Sequence, residues 1–169
     1  MRLYRDIITG DEMFSDVFKI TESTNGILYE VEGKLEIRSE DVNCAIGGNP
    51  SADQKEEILL PNTFSGVDIV MNHKLQKMDY TKQIYKDYIK DYMKAIKAKL
   101  EETNPDRVEA FMSGAKAEVV KLLPKLKNCQ YFRGESMNTD GMVVLLDYRD
   151  DGSTPYLIYF KDGLSMEKC

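Results

Sequence analysis

Apolar and polar positions alternate through residues 1–38, which predicts a β-meander. The strands fall at residues 3–8, 17–20, 27–31 and 35–37, and Asn25-Gly26 supplies a hairpin turn between the second and third. Residues 39–64 carry neither period; Gly47-Gly48-Asn49-Pro50 and the acidic pairs punctuate them, so a long mobile loop is expected there. Residues 65–72 read as one further strand around Val67, Ile69 and Met71. The pattern then changes. Tyr85, Ile89, Tyr92, Ile96 and Leu100 recur at three- and four-residue spacing, which predicts an amphipathic helix over residues 79–102 capped by Asp79 or Thr81. Asn104-Pro105 ends it and opens a second helix that buries Val108, Phe111 or Met112, Ala115, Val119, Leu122 and Leu126. So short a connection forces the two helices antiparallel, giving a hairpin over about residues 79–127 that is about 36 Å long. Strands return at residues 130–132, 142–148 and 155–160. Strands and helices are segregated, so the fold class is α+β, mainly antiparallel, in one domain over residues 1–169.

Charge adds an asymmetry to this layout. The net charge is −6, which argues against nucleic acid as a partner. Residues 1–66 hold 6 basic and 13 acidic side chains, whereas residues 67–128 hold 13 basic and 9 acidic. The helical hairpin is therefore a basic element in an acidic protein. Lys82, Lys86, Lys90 and Lys94 recur every four residues and line one face of the first helix. Such a face is either merely solvated or a surface for an acidic partner, of which tubulin, with its acidic tails, is one. No apolar run approaches membrane-spanning length, and Arg2, Arg5 and Asp6 interrupt the start of the chain before a secretory signal could form, so a cytoplasmic location away from membranes is expected.

Candidates for chemistry are few. There is no nucleophile elbow, phosphate-binding loop or dinucleotide fingerprint, so no enzyme is expected. His73 is the sole imidazole, placed just past a predicted strand end, and an ordinary hydrogen bond is its better role. Cys44, Cys129 and Cys169 are odd in number and show no metal spacing, so zinc and an internal disulfide are not expected. Cys169, at the chain end, is the candidate for an intermolecular disulfide that would turn a monomer into an oxidative dimer. The acidic run 147–152 begins like a calcium loop, but Arg149 and Ile158 stand where oxygen ligands belong, so a hairpin turn is the better reading and any calcium binding is weak.

Dense local matches identify a resemblance. Tyr4-Arg5-Asp6, Asp11-Glu12-Met13-Phe14-Ser15-Asp16, Val31-Glu32-Gly33-Lys34 and Ile46-Gly47-Gly48-Asn49-Pro50-Ser51-Ala52 lead the chain. Tyr88-Ile89-Lys90-Asp91-Tyr92-Met93-Lys94, Gly134-Glu135-Ser136-Met137-Asn138 and Phe160-Lys161-Asp162-Gly163-Leu164 follow. From end to end the sequence resembles the translationally controlled tumour protein family. The resemblance implies a tent-like β core, a protruding helical hairpin and a mobile loop. It implies a multifunctional interaction protein that binds calcium, stabilises microtubules and supports cell survival through a Bcl-family partner, and unconventional secretion stays open beside the cytoplasmic location. It also implies contact with a small GTPase through Glu12, so an exchange or accessory factor for a Rheb-type GTPase is the alternative function. The β core is similar to folds that hold zinc with paired C-x-x-C motifs, and this sequence has none. The family comparison with a death-motif helix falls on residues 18–28, where threonines and Asn25-Gly26 favour a hairpin.

Overall fold

The computed structural model describes residues 1–39 and 63–168. Eleven strands among these form three antiparallel sheets. β1 (Arg2–Asp6) lies between β11 (Leu164–Lys168) and β2 (Glu12–Ser15). A six-stranded sheet runs β3 (Lys19–Glu22), β4 (Leu28–Glu32), β10 (Pro155–Phe160), β9 (Val144–Tyr148), β8 (Gln130–Arg133), β7 (Gln76–Met78). β5 (Leu35–Ser39) and β6 (Thr63–Val67) make a separate ribbon. Three α-helices are found among the described residues: α1 (Asp68–Asn72), α2 (Lys82–Thr103) and α3 (Val108–Leu122).

β10 explains how the layers stack. All six of its residues are buried, so both its faces are covered. On one face Tyr159 meets Phe14 of β2 at 4.5 Å, and Tyr4 and Tyr29 complete an aromatic cluster with Phe14. On the other, Phe160 meets Tyr92 of α2 at 5.9 Å. The six-stranded sheet is thus the middle layer, between the three-stranded sheet and the helical hairpin.

The predicted stripe of α2 is buried in full: Tyr85, Ile89, Tyr92, Ile96 and Leu100. Thr81 is the cap, its hydroxyl accepting from the Ile84 amide. Pro105 opens a single 3-10 turn before α3, and Phe111 rather than Met112 takes the core position. The connection is pinned by Arg107, whose Nε and Nη2 donate to Asp162 at 2.9 Å each, while Nη2 also donates to the Gly26 carbonyl.

Residues 65–72 are not one strand. The strand stops at Val67, and Asp68–Asn72 turn into a helix. The apolar alternation of Val67, Ile69 and Met71 misleads because the polar position between them is buried and bonded: the Asp68 carboxylate accepts from the Ile69 and Lys34 amides, which ties the start of the helix to the β4–β5 turn. His73 consequently ends a helix, not a strand, with its amide donating to the Ile69 carbonyl. At the ribbon's open end Ser39 pairs with Thr63, so the ladder takes in the margins of the predicted 39–64 loop. The rest of that loop expectation lies outside the described residues. β2, β7 and β11 add to the predicted strands, and residues 18–28 form the expected hairpin, with Ile20 opposite Val31.

Candidate interaction surfaces

Two surface features are built from the residues singled out by sequence. The first is the outward side of the helical hairpin. With one face of α2 committed to the sheet, its lysine face looks away from the core: Lys82, Lys90 and Lys94 are exposed and Lys86 is half-buried. None of the four has an ion-pair partner among the described residues. Three of them, Lys86, Lys90 and Lys94, join Lys116 of α3 around an apolar groove of about 350 Å³ between the helices. Its floor is Met93, Met112, Val119, Val120 and Leu123. Lys82 lies off the groove. Sequence reading found the lysines and missed the floor, because Met112 and Val119 fit a buried α3 face equally well.

The hairpin is anchored behind this groove by tyrosines. The Tyr88 hydroxyl donates to the Gly141 carbonyl at 2.8 Å and accepts from the Val143 amide at 2.9 Å, tying α2 to the β8–β9 connection. Burial lifts the Tyr85, Tyr88 and Tyr92 hydroxyls above the ordinary tyrosine range. Arg133, itself buried, lies over the Tyr80 and Tyr88 rings and donates to the Tyr80 hydroxyl at 2.7 Å.

The second feature is a polar cleft of about 360 Å³ around Glu12, lined also by Arg5, Asp11, His73, Lys74 and Glu135. Glu12 meets His73 Nδ1 through one carboxylate oxygen at 3.1 Å. His73 is almost enclosed, with 9% of its side chain exposed against 45% for Glu12, and its ring stands edge-on to Phe18. Two non-glycine residues flank this region in the left-handed conformation, Lys74 (φ 56°) and Met137 (φ 59°), and such strain concentrates at functional surfaces. Asp11 is already committed: its carboxylate accepts from the Ser136 hydroxyl at 2.6 Å and docks the β8–β9 connection onto the β1–β2 turn. Glu12 and His73 are 61 positions apart, and no spacing rule links them.

The remaining candidates resolve into structure. Asp151 accepts from the Ser153 and Thr154 amides and the Thr154 hydroxyl, so it closes the 147–152 turn, and those bonds pull its carboxyl down to about 2. Arg149 binds Glu30 and Glu32 and stacks on Tyr156 at 3.9 Å. No three His, Cys, Asp or Glu side chains among the described residues are grouped to hold a metal ion. Cys129 is buried, and that burial, reinforced by Asp147, pushes its thiol up to about 12. Cys44 and Cys169 lie outside the described residues. No described helix is long and apolar enough to cross a membrane.

A layered antiparallel β core bearing a helical hairpin, with its candidate residues on open surfaces, defines the class as α+β, mainly antiparallel β. The chain belongs to the translationally controlled tumour protein family, whose model matches residues 1–165. It is 60% identical over 171 residues to the "Translationally-controlled tumor protein homolog" of Labeo rohita, with both chains covered in full. It is 56% identical over 172 residues to the human "Translationally-controlled tumor protein", again over 100% of each. Among solved structures, the Schizosaccharomyces pombe protein p23fyp aligns with a TM-score of 0.83 at 43% identity over 100% of both chains. The Caenorhabditis elegans protein aligns with a TM-score of 0.71 at 34% identity, covering 100% of this chain and 99% of that one.

Proposed function

We propose that this chain is a non-enzymatic, cytoplasmic interaction protein whose helical hairpin binds an acidic macromolecular surface through Lys82, Lys86, Lys90 and Lys94, as on tubulin in a microtubule. The observation that carries the reading is the absence of any carboxylate partner for these four lysines among the described residues, which leaves their charge free for a partner. Calcium fits this reading as a weak, non-obligatory ligand of acidic turns, and neither zinc nor any other cofactor is needed. Co-sedimentation with microtubules across a salt series tests it. Reversal of all four lysines to glutamate is expected to abolish pelleting, and added salt is expected to weaken the wild-type contact. Equal pelleting of wild type and the reversal variant overturns the reading.

The Glu12 cleft favours a second activity, contact with a Rheb-type small GTPase as an exchange or accessory factor. What supports it is an exposed carboxylate held by an enclosed imidazole beside two residues in strained backbone. Release of fluorescent GDP from such a GTPase, with and without this protein and its Glu12→Gln variant, is the test. A rate unchanged by the wild-type protein removes this activity. A Bcl-family partner would have to recognise residues 18–28 as the hairpin they form, or unfold β3 from β4 to obtain a helix. The intermolecular disulfide through Cys169 is checked by non-reducing electrophoresis of Cys169→Ser, which is expected to lose the dimer.

A further inference from the structure

We propose that the groove between α2 and α3 is a docking site for an amphipathic helix with acidic flanks. The inference rests on the lysine reading above and changes what it demands of the partner: apolar side chains as well as charge.

The floor of the groove carries the argument. A hairpin that only needed solubility would cover its outward side with polar groups. Here Val120 is 63% exposed in the last turn of α3, and Met93, Met112, Val119 and Leu123 surround the same hollow. The hollow continues toward the tip of the hairpin, where Met93 and Met112 meet Glu109, Ser113 and Lys116. Two methionines give the floor an adaptable shape that suits side chains of varied outline. An extended glutamate-rich tail would meet the lysines and leave this floor wet.

The rim fixes the charge and the dimensions. Lys86, Lys90 and Lys94 stand on one wall and Lys116 on the other, none of them paired among the described residues. The eight steps from Lys86 to Lys94 rise about 12 Å, or about two helical turns. A helix lying along the groove would therefore place apolar residues at spacings of three and four on the floor, with carboxylates on both sides reaching the two lysine walls. Apolar floor and like-charged walls together select for that amphipathic pattern. Neither an acidic coil nor an apolar peptide satisfies both.

The test uses the full chain and synthetic peptides of about 18 residues, long enough to support a helix. One is an amphipathic leucine–alanine helix with glutamate on both flanks. The second has the same composition scrambled, and the third is oligoglutamate of equal charge. Fluorescence polarisation is expected to show binding of the first alone at high salt. Its affinity should fall about tenfold between roughly 0.05 and 0.5 M salt without vanishing, because only the rim contacts are screened. Val120→Glu is expected to weaken it about tenfold or more. Val120→Ser, a milder change at the same exposed position, should weaken it less and leave the unfolding midpoint in place. Equal binding of the amphipathic and oligoglutamate peptides, both lost at high salt, overturns the inference and reduces the groove to its lysines. Binding to anionic phospholipid vesicles without binding to the amphipathic peptide also overturns it, in favour of a lipid surface. The microtubule assay separates the two proposals. Lysine-dependent pelleting without helix binding leaves the electrostatic reading standing and removes this one. Helix binding with pelleting insensitive to the lysines does the reverse.

Discussion

Arg107→Ala would release the bolt that holds the tip of the helical hairpin to the β core. The guanidinium makes two bonds of 2.9 Å to the Asp162 carboxylate and a third of 2.9 Å to the Gly26 carbonyl. It thereby joins the α2–α3 connection, the β3–β4 turn and the turn before β11. Asp162 raises the Arg107 pKa through those hydrogen bonds, so the charge is present at every accessible pH. Side-chain exposure is 25% for Arg107 and 10% for Asp162, which places the pair between two regimes. A fully exposed pair contributes about 0–1 kcal/mol. Removing one partner of a buried pair costs about 3–5 kcal/mol, because the other charge is stranded. With the arginine a quarter exposed and the carboxylate nearly enclosed, a loss of about 2–3 kcal/mol is expected. For a chain of this size that corresponds to a fall in Tm of about 4–12 °C. Urea unfolding should show a lower midpoint at unchanged slope, since the same surface is exposed. The double variant with Asp162→Asn should be less destabilised than the two single losses added together. A loss below about 0.5 kcal/mol, or strict additivity in the cycle, would refute the bolt.

Three further outcomes follow from other contacts. The Cys129 thiol, pushed up to about 12 chiefly by burial, keeps its proton in the folded chain at pH values where the unfolded chain has lost it; its stabilising contribution is full below about pH 8.5 and falls as pH rises toward 12, so Cys129→Ala should flatten the decline in urea midpoint between about pH 9 and 10, and native Cys129 should resist alkylation at about pH 8. His73→Phe keeps a ring against Phe18 but removes the nitrogen bonded to Glu12, so GTPase binding or exchange should fall to the level of Glu12→Gln with little loss of stability, and the two changes together should do no more than one alone; full activity in His73→Phe would show that the contact is incidental. Gly163→Ala would drive a methyl group into the Tyr92 hydroxyl and Met142, so chemical denaturation should register about 1–3 kcal/mol of destabilisation, and an unchanged midpoint would mean that Tyr92 moves aside freely.

The parts of the fold legible in sequence are those whose period is long. The α2 stripe spans more than four turns, and every one of its five apolar members is buried. β4 and β10 were legible because they are rich in β-branched and aromatic residues, among them Tyr29, Val31, Tyr156, Ile158, Tyr159 and Phe160, and turn residues bound them. β7 and β11 were not. Gln76-Lys77-Met78 and Leu164–Lys168 have almost no apolar pattern, and they are strands only because β8 and β1 offer hydrogen-bonding edges. α1 failed for the opposite reason: its apolar residues did alternate, but the chain turns into a helix at Asp68, whose buried carboxylate is bonded to the Lys34 and Ile69 amides. Both errors are tertiary contacts overriding local preference.

The surfaces follow the same division. A four-residue lysine repeat lies on one helix and is visible in one dimension, whereas the groove needs two helices side by side, and the Glu12–His73 contact needs a helix folded back onto the β1–β2 turn. Carboxylates are the harder lesson, because abundance in sequence says nothing about availability. Asp6 accepts from the Ile8 and Met142 amides, Asp11 from Ser136, Asp68 from Lys34 and Ile69, and Asp151 from its own turn. Each is occupied in holding backbone, which is why acidic motifs that look like ligand sets turn out to dock loops. Gly134 and Gly141 belong to the same device: a methyl group on either would strike Asp11 or Thr9, so glycine lets the β8–β9 connection lie flat against the β1–β2 turn. Glu12 is the contrast within this neighbourhood. Among the described residues its carboxylate bonds to an imidazole, and nearly half of its side chain faces solvent. An exposed carboxylate amid neighbours bonded to backbone is what the proposed GTPase contact uses, as the proposed microtubule contact uses the unpaired lysines of the hairpin. The two surfaces lie on separate elements of one scaffold, one rimmed by lysines and the other lined by acidic and basic side chains together, so a substitution in either is expected to leave the other's shape and charge in place.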